Sequence, residues 1–190
     1  MLFVFDLDRT LVTMYGVDPL PGVRERLSHL VSQGHVLAIA TNQAGPAWGL
    51  ATGDPKYPAP ESLMERFRQI AVALPETADV PWFVAVGDTR LTLSAADYDV
   101  VKQRVGSVRG PLALHISADP SWRKPEPGML LAACRQVGVP LSETVFVGDS
   151  TTDADAARAA GVAFVSADEF FASGTVSGQV GEDSAPEIPD

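Results

Sequence analysis

Short apolar runs alternate with amphipathic stretches along most of this chain. Leu2–Phe5 is an unbroken apolar run that stops at Asp6. A short run of this kind, rich in aromatic and branched residues, reads as a buried strand. Positions 21–32 carry Val23, Leu27, Leu30 and Val31 at helical spacing. Pro21 suits the first turn of that helix and Gly34 its end. Val36–Ala40 is a second strand, ending at Thr41. Leu63–Leu74 reads as a helix and Trp82–Val86 as a third strand. Ala95–Val105 and Leu112–Ile116 read as a further helix and strand. Met129–Val137 is helical. Thr144–Val147 is a strand running into Gly148 and Asp149. An alanine-rich helix over Asp153–Ala160 ends at Gly161, and Val162–Val165 is a last strand.

Between these elements, Gly45–Pro60 is rich in Gly and Pro and reads as a loop, a candidate lid with glycine hinges. From Ser173 the composition turns to Gly, Ser, Pro and acid, which reads as a disordered acidic tail over 173–190 behind a single domain over 1–172. Strands that alternate with helices and are apolar along their whole length predict a parallel sheet covered on both faces. In such sheets ligands sit beyond the carboxyl ends of the strands. The residues following each strand are therefore the candidate chemistry.

Composition narrows the function classes. The 190 residues carry a formal net charge of −10, a poor footprint for long nucleic acid, which rewards clustered Lys and Arg. No apolar run approaches the roughly 20 residues that span a bilayer, and the N-terminus does not read as a signal peptide. Cys134 is the one cysteine, so neither an internal disulfide nor a multi-cysteine zinc site is available, and a cytoplasmic setting is expected. Cys134 lies on an apolar stripe with Leu130 and Val137 and reads as a core filler. His29, His35 and His115 are scattered and read as structural. Trp82 reads as core, whereas Trp48 and Trp122 are placed to line a site.

Four sets of polar residues follow strands or precede helices: Asp6-Leu7-Asp8, Thr41-Asn42, Lys124-Pro125, and Asp149 with Asp153. If the sheet forms, they converge. Several carboxylates in one place repel one another unless a cation holds them. Oxygen ligands without Cys or His suit a hard cation, and Mg²⁺ is the common choice beside phosphate. A hydroxyl, an amide and an ammonium supply what a phosphoryl group needs. Each residue also has a plainer reading: Asp as a turn or helix cap, Thr and Asn likewise, Lys as a solvated charge.

The order of these sets resembles the haloacid-dehalogenase (HAD) superfamily. Phe5-Asp6-Leu7-Asp8-Arg9-Thr10-Leu11 resembles its first motif and Ile39-Ala40-Thr41-Asn42-Gln43-Ala44-Gly45 its second. Arg123-Lys124-Pro125-Glu126-Pro127-Gly128-Met129-Leu130 resembles the third. Val147-Gly148-Asp149-Ser150-Thr151-Thr152-Asp153 resembles the fourth. Asn-Gln after the second strand and the Arg-Lys-Pro-x-Pro-Gly-Met segment are similar to the histidinol-phosphate and heptose-bisphosphate phosphatase branch (subfamily IIIA), whose neighbours include polynucleotide 3′-phosphatases. The resemblance implies a three-layer Rossmann-like α/β fold and a Mg²⁺-dependent phosphomonoesterase acting on a small phosphorylated metabolite. Asp6 would be the nucleophile, a case of covalent carboxylate catalysis. Asp8 would be the general acid and base and would bind metal through its backbone carbonyl. Thr41 and the backbone of Asn42 would hold phosphate oxygens. Lys124 would neutralise charge on Asp6 and the phosphoryl group. Asp149 would ligate the metal together with Asp6, and Asp153 would support it. Arg9, Arg123 and Trp48 are candidate substrate contacts.

Three features depart from the pattern. Arg9 stands where the first motif usually has glycine. No cysteine-rich zinc loop precedes Lys124, and Trp48 falls where the heptose branch tends to have arginine. The short interval between Asp8 and Thr41 excludes a large cap there, and the stretch up to Lys124 has room for a modest one. Two alternatives remain open: a polynucleotide 3′-end phosphatase, which the acidic balance disfavours, and a non-catalytic phosphate-binding module. Response-regulator receivers use similar residue types, but their order along the chain differs.

Overall fold

The computed structural model describes residues 1–106 and 112–172. The expected tail at 173–190 lies outside the described residues. Six parallel strands form one sheet: β1 (Leu2–Phe5), β2 (Val36–Asn42), β3 (Pro81–Ala85), β4 (Ala113–Ser117), β5 (Thr144–Gly148) and β6 (Ala163–Ser166), in the order β4-β3-β2-β1-β5-β6. The connecting helices are α1 (Val23–Ser32), α2 (Gly45–Thr52), α3 (Pro60–Ala73), α4 (Ala95–Gly106), α5 (Gly128–Val137), α6 (Thr151–Ala160) and α7 (Ala167–Ala172).

Strand pleating divides the core. Phe3 and Phe5 of β1 point to one face, where α1, α3, α4 and α7 pack through Leu27, Phe67, Val101 and Phe170. Leu2 and Val4 point to the other, against Met129, Ala133 and Cys134 of α5 and Ala156, Ala157 and Ala160 of α6. The small side chains of α6 let it lie close to the sheet. Both faces are covered, which is why the central strands are apolar throughout. Trp82 is fully buried and its indole N–H donates to Thr77 O (2.9 Å).

Two local expectations are corrected. Gly45–Pro60 is not a loop throughout: its first half is α2, with Pro46 in the opening turn and Gly53 closing it in the left-handed region (φ 66°). A Cβ at Gly45 would stand 2.8 Å from the Pro58 ring, so glycine lets the returning chain pack onto α2, an effect of tertiary packing that composition does not reveal. Pro21 does not open α1, because Gly22 adopts φ 78° between it and the first helical residue, Val23.

The chain order reverses at β1: β2 lies on one side of it and β5 on the other. The crevice at the carboxyl ends of β1 and β5 is therefore the topological switch point. Asp6 follows β1 and Asp149 follows β5.

Candidate active site

Asp6 is fixed by its backbone, whose N–H donates to Val147 O of the neighbouring strand (2.9 Å). Its carboxylate is buried (7% exposed) and meets Lys124 Nζ at 2.5 Å. The same ammonium lies 2.6 Å from Asp153 Oδ1, and both Lys124 and Asp153 are buried. Burial pushes the Asp6 carboxyl up from 3.8 to about 6, against the opposing pull of Lys124. Burial alone would pull the Lys124 ammonium down, but Asp6 and Asp153 outweigh it and hold the ammonium above its ordinary value.

Asp153 is locked by a capping box at the start of α6. Ser150 N–H and Oγ–H donate to Asp153 Oδ2 (3.1 and 2.6 Å), and Asp153 N–H donates back to Ser150 Oγ (3.3 Å). A Cβ at Gly148 would stand 2.6 Å from the Asp153 side chain, so glycine there lets the carboxylate reach the crevice. Asp149 is partly exposed and pairs with Arg9 Nη2 at 2.8 Å. Burial pushes its carboxyl upward, opposed by the Arg9 charge.

Asp6, Asp149 and Asp153 each place a carboxylate oxygen within 4.8 Å of the others. The Asp8 carboxylate lies outside this group. Its Oδ1 accepts from Tyr15 N–H (2.8 Å) and Arg66 Nη2 (2.5 Å). Its Oδ2 accepts from Gln43 Nε2 (2.9 Å) and Arg66 Nη1 (3.4 Å). The same Gln43 Nε2 donates to Thr41 Oγ1 (2.9 Å), so a buried amide links the hydroxyl of Thr41 to Asp8. Asn42 commits its side chain to the backbone of Lys124, with Nδ2 donating to Lys124 O (3.0 Å) and Oδ1 accepting from Lys124 N–H (3.1 Å).

The remaining substrate candidates meet around one residue that the sequence reading passed over. Asp88, just beyond β3, has a buried carboxylate that accepts from Trp48 Nε1 (3.1 Å) and pairs with Arg90 (2.5 Å) and Arg123 (3.5 Å). Trp48 stacks on Tyr57 with centroids 5.8 Å apart, and the Arg90 guanidinium lies over the Trp48 ring, 5.4 Å from its centroid. Hydrogen bonds from Arg90 hold the Asp88 carboxyl well below the usual carboxylate range. Asp88 could have been found by the rule that drew attention to the other strand ends. Gln43 stood within a quoted motif without a role. Arg66 is an arginine in an amphipathic helix and carries no mark of its purpose.

Oxygen-only donors, two of them buried, converging from β1, β5 and α6, fit a hard divalent cation. In the form described, the positive charge facing Asp6 and Asp153 comes from Lys124, and that facing Asp149 comes from Arg9.

Comparison with known proteins agrees with this frame. The HAD-hydrolase-like family model matches residues 121–167, the span of the third and fourth motifs. The D-glycero-D-manno-heptose-1,7-bisphosphate 7-phosphatase of Thermosynechococcus vestitus is 32% identical over 142 residues, covering 75% of this chain and 62% of that protein. The chain thus spans somewhat less than two thirds of that relative's length. Among solved structures, a HAD-like phosphatase from Mesorhizobium loti superposes with a TM-score of 0.58 at 22% identity, covering 84% of this chain and 68% of that one. The D,D-heptose 1,7-bisphosphate phosphatase from B. bronchiseptica, complexed with magnesium and phosphate, superposes with a TM-score of 0.54 at 22% identity, covering 86% and 78%. Motif order, sheet topology and these likenesses converge: the chain is similar in sequence to phosphatases of the haloacid-dehalogenase superfamily and shares their fold.

Proposed function

We propose that this protein is a Mg²⁺-dependent phosphomonoesterase that hydrolyses a small phosphorylated metabolite through a phosphorylated Asp6. The observation that carries the proposal is the Asp6 carboxylate, buried against Lys124 beside Asp149 and Asp153. A buried carboxylate in an ion pair with lysine is a poor stabilising device but a good poised nucleophile.

The residues divide the work as follows. The Thr41 hydroxyl and the backbone of Asn42 receive phosphate oxygens, while Lys124 offsets the charge that builds on Asp6 and the phosphoryl group. An Asp6 carboxylate oxygen attacks phosphorus as the ester P–O bond breaks, and Asp8 gives a proton to the departing alcohol oxygen. In the second half Asp8 takes a proton from water, the water oxygen attacks phosphorus, and the bond to Asp6 breaks, releasing inorganic phosphate. Asp6, Asp149 and the backbone carbonyl of Asp8 would hold the ion, with Asp153 in support. Magnesium, when bound, would orient the phosphate and screen its charge. Arg9, Arg123 and Trp48 would contact the substrate; Arg9 pairs with Asp149, and Asp88 gathers Arg123 and Trp48 together with Arg90.

The heptose-bisphosphate relatives point to a phosphorylated sugar as the substrate class. The acidic composition, with its formal net charge of −10, favours a small substrate over a nucleic acid. The single cysteine, buried in the core, fits a cytoplasmic setting, and no helix among the described residues is long and apolar enough to cross a membrane.

The test is phosphate release from a panel of phosphorylated metabolites, with and without Mg²⁺, for the wild type and Asp6→Asn. Release that needs Mg²⁺ and disappears in Asp6→Asn is expected. Undiminished Mg²⁺-dependent release by Asp6→Asn rejects the nucleophile.

A further inference from the structure

Arg66 sits on α3, near the middle of a helix whose buried residues Leu63, Met64, Phe67 and Ile70 pack toward the sheet. Its own side chain is mostly buried too, at 13% exposure, although nothing in an amphipathic helix requires an arginine to turn inward. The guanidinium is committed at three points. Nε–H donates to Gly16 O (2.9 Å), Nη2 donates to Asp8 Oδ1 (2.5 Å), and Nη1 reaches Asp8 Oδ2 at 3.4 Å. The fork thus takes both oxygens of one carboxylate while its third edge is tied to the loop after β1.

A planar fork gripping a carboxylate from two sides restricts its rotation, which a point charge does not. Tyr15 N–H donates to Oδ1 and Gln43 Nε2 to Oδ2, so the Asp8 carboxyl is held from both ends. Of its four contacts the 3.4 Å one from Arg66 Nη1 to Oδ2 is the longest and is the position a proton on Oδ2 takes, while Nη2 keeps its grip on Oδ1. Asp8 stands on a loop, where a side chain lacks the steric support of a helix or strand. Misplacement of a catalytic group by about 1 Å costs roughly a hundredfold in rate.

We infer that Arg66 is a positioning residue for Asp8, aligning its carboxyl with the oxygen of the leaving alcohol. The inference rests on the proposed acid role of Asp8. Arg66 exchanges no proton and forms no bond in the step: as the ester P–O bond breaks, the proton passes from Asp8 to the alcohol oxygen, and Arg66 governs only where that carboxyl lies.

A leaving group's own acidity separates positioning from simple bracing of the loop. An alkyl phosphate needs its departing oxygen protonated, whereas 4-nitrophenyl phosphate releases a stable phenolate unaided. The quantity to measure is kcat/KM, which reports the steps through phosphoenzyme formation and is blind to its later hydrolysis. It is measured on both substrates with Mg²⁺ present, for the wild type, Asp8→Asn, Arg66→Met and Arg66→Lys, beside a thermal melt of each protein.

Asp8→Asn and Arg66→Met are expected to lose about a hundredfold on the alkyl phosphate and much less on the nitrophenyl ester. Arg66→Lys, which keeps the charge but loses the fork, is expected to fall between the wild type and Arg66→Met. If Arg66→Met does not fold, Arg66→Lys carries the comparison. If Asp8→Asn is selective for the alkyl substrate while the Arg66 variants lose equally on both or on neither, the inference is overturned and the acid role of Asp8 stands. Equal losses for Asp8→Asn on the two substrates would remove the acid role itself, and the inference about Arg66 with it.

Discussion

Asn42 and Lys124, 82 residues apart, hold each other through two hydrogen bonds between a side-chain amide and a backbone. Nδ2 donates to Lys124 O at 3.0 Å, and Lys124 N–H donates to Oδ1 at 3.1 Å. The amide does for Lys124 what a neighbouring strand would do: it satisfies both polar groups of a residue that belongs to no strand. The lysine therefore enters the crevice from a fixed backbone, and its ammonium can bridge Asp6 and Asp153.

Asn42→Ala leaves that N–H and carbonyl without their partner. The cost is about 1–3 kcal/mol of stability for a buried group left unmet. Activity falls further than stability explains, because the lysine loses its anchor. Urea unfolding together with kcat on the best substrate checks both. Asn42→Asp keeps the acceptor for Lys124 N–H but sets an oxygen against the Lys124 carbonyl, and is expected to be no better than alanine.

The Asp6 carboxyl, pushed up to about 6 by burial, gives the metal-free protein a definite pH dependence. A carboxyl whose folded value lies above its unfolded one holds its proton more tightly when folded. Its stabilising contribution is complete below about pH 4 and is lost as the pH rises through 6. In the window from about pH 4 to 6, this group makes the metal-free protein less stable as the pH rises. Mg²⁺ bound to the ionised carboxylates, as proposed, would oppose that trend, raising stability by about 2.7 kcal/mol when present at a hundred times its dissociation constant. Melting curves from pH 4.5 to 7.5, with and without Mg²⁺, are expected to diverge toward the upper end. Asp149→Asn is expected to abolish most of the divergence, and equal curves for the two proteins in Mg²⁺ would exclude Asp149 as a ligand.

The parts of this architecture legible in the sequence are those in which one physical cause acts alone. Each apolar run is a strand because a sheet covered on both faces leaves it no polar side, and the acids at 6 and 149 stand out because such runs end in them. α2 was hidden because its Gly, Pro and Thr residues have low helix propensity, and packing against Pro58 and Tyr57 decides its state. Arg66 and Gln43 were illegible for a different reason. Their partners lie far off or across a turn, and no spacing rule links position 66 to position 8. Asn42 was assigned a backbone contact to phosphate, while its side chain found a backbone 82 residues away. The convergence of Asp153 on Lys124 depends on Gly148 and a capping box, both present in the sequence but meaningful only once the strand end is placed.

Arg9 adopts φ 62°, a left-handed conformation that an arginine pays about 1 kcal/mol to hold, and it pairs with Asp149 at 2.8 Å. With Asp149 as a metal ligand, as proposed, the Arg9 guanidinium would compete with the cation for that carboxylate. Arg9→Gly removes both the strain and the competitor. The pair is largely exposed on the arginine side, so its worth is about 0.2–1 kcal/mol. Calorimetric titration with Mg²⁺ is therefore expected to show affinity rising up to about fivefold in Arg9→Gly. Stability without metal is expected to change little, since strain relief offsets the lost pair. Weaker Mg²⁺ binding in Arg9→Gly would show instead that the guanidinium supports the site.

Asp88 predicts the opposite pH behaviour to Asp6. Hydrogen bonds from Arg90 hold its carboxyl well below the usual carboxylate range, with help from Trp48 Nε1–H and Arg123. A depressed folded value means the charged form is favoured by folding. The resulting stability is present in full above about pH 5, and it drains away as the pH falls through the unfolded value near 4 toward the much lower folded one. Asp88→Asn cannot accept from Arg90 and Arg123 with a charge, so it forfeits this contribution at neutral pH. The difference in urea midpoint between the wild type and Asp88→Asn is expected to be largest at pH 6–7 and to shrink steadily between pH 5 and 3. Because Asp88 also holds the Trp48 and Arg123 side chains, the proposed substrate contacts, Asp88→Asn is expected to raise KM more than it lowers kcat. A difference in midpoint that stays constant across that pH range would mean the carboxylate's charge contributes nothing and only its shape is used.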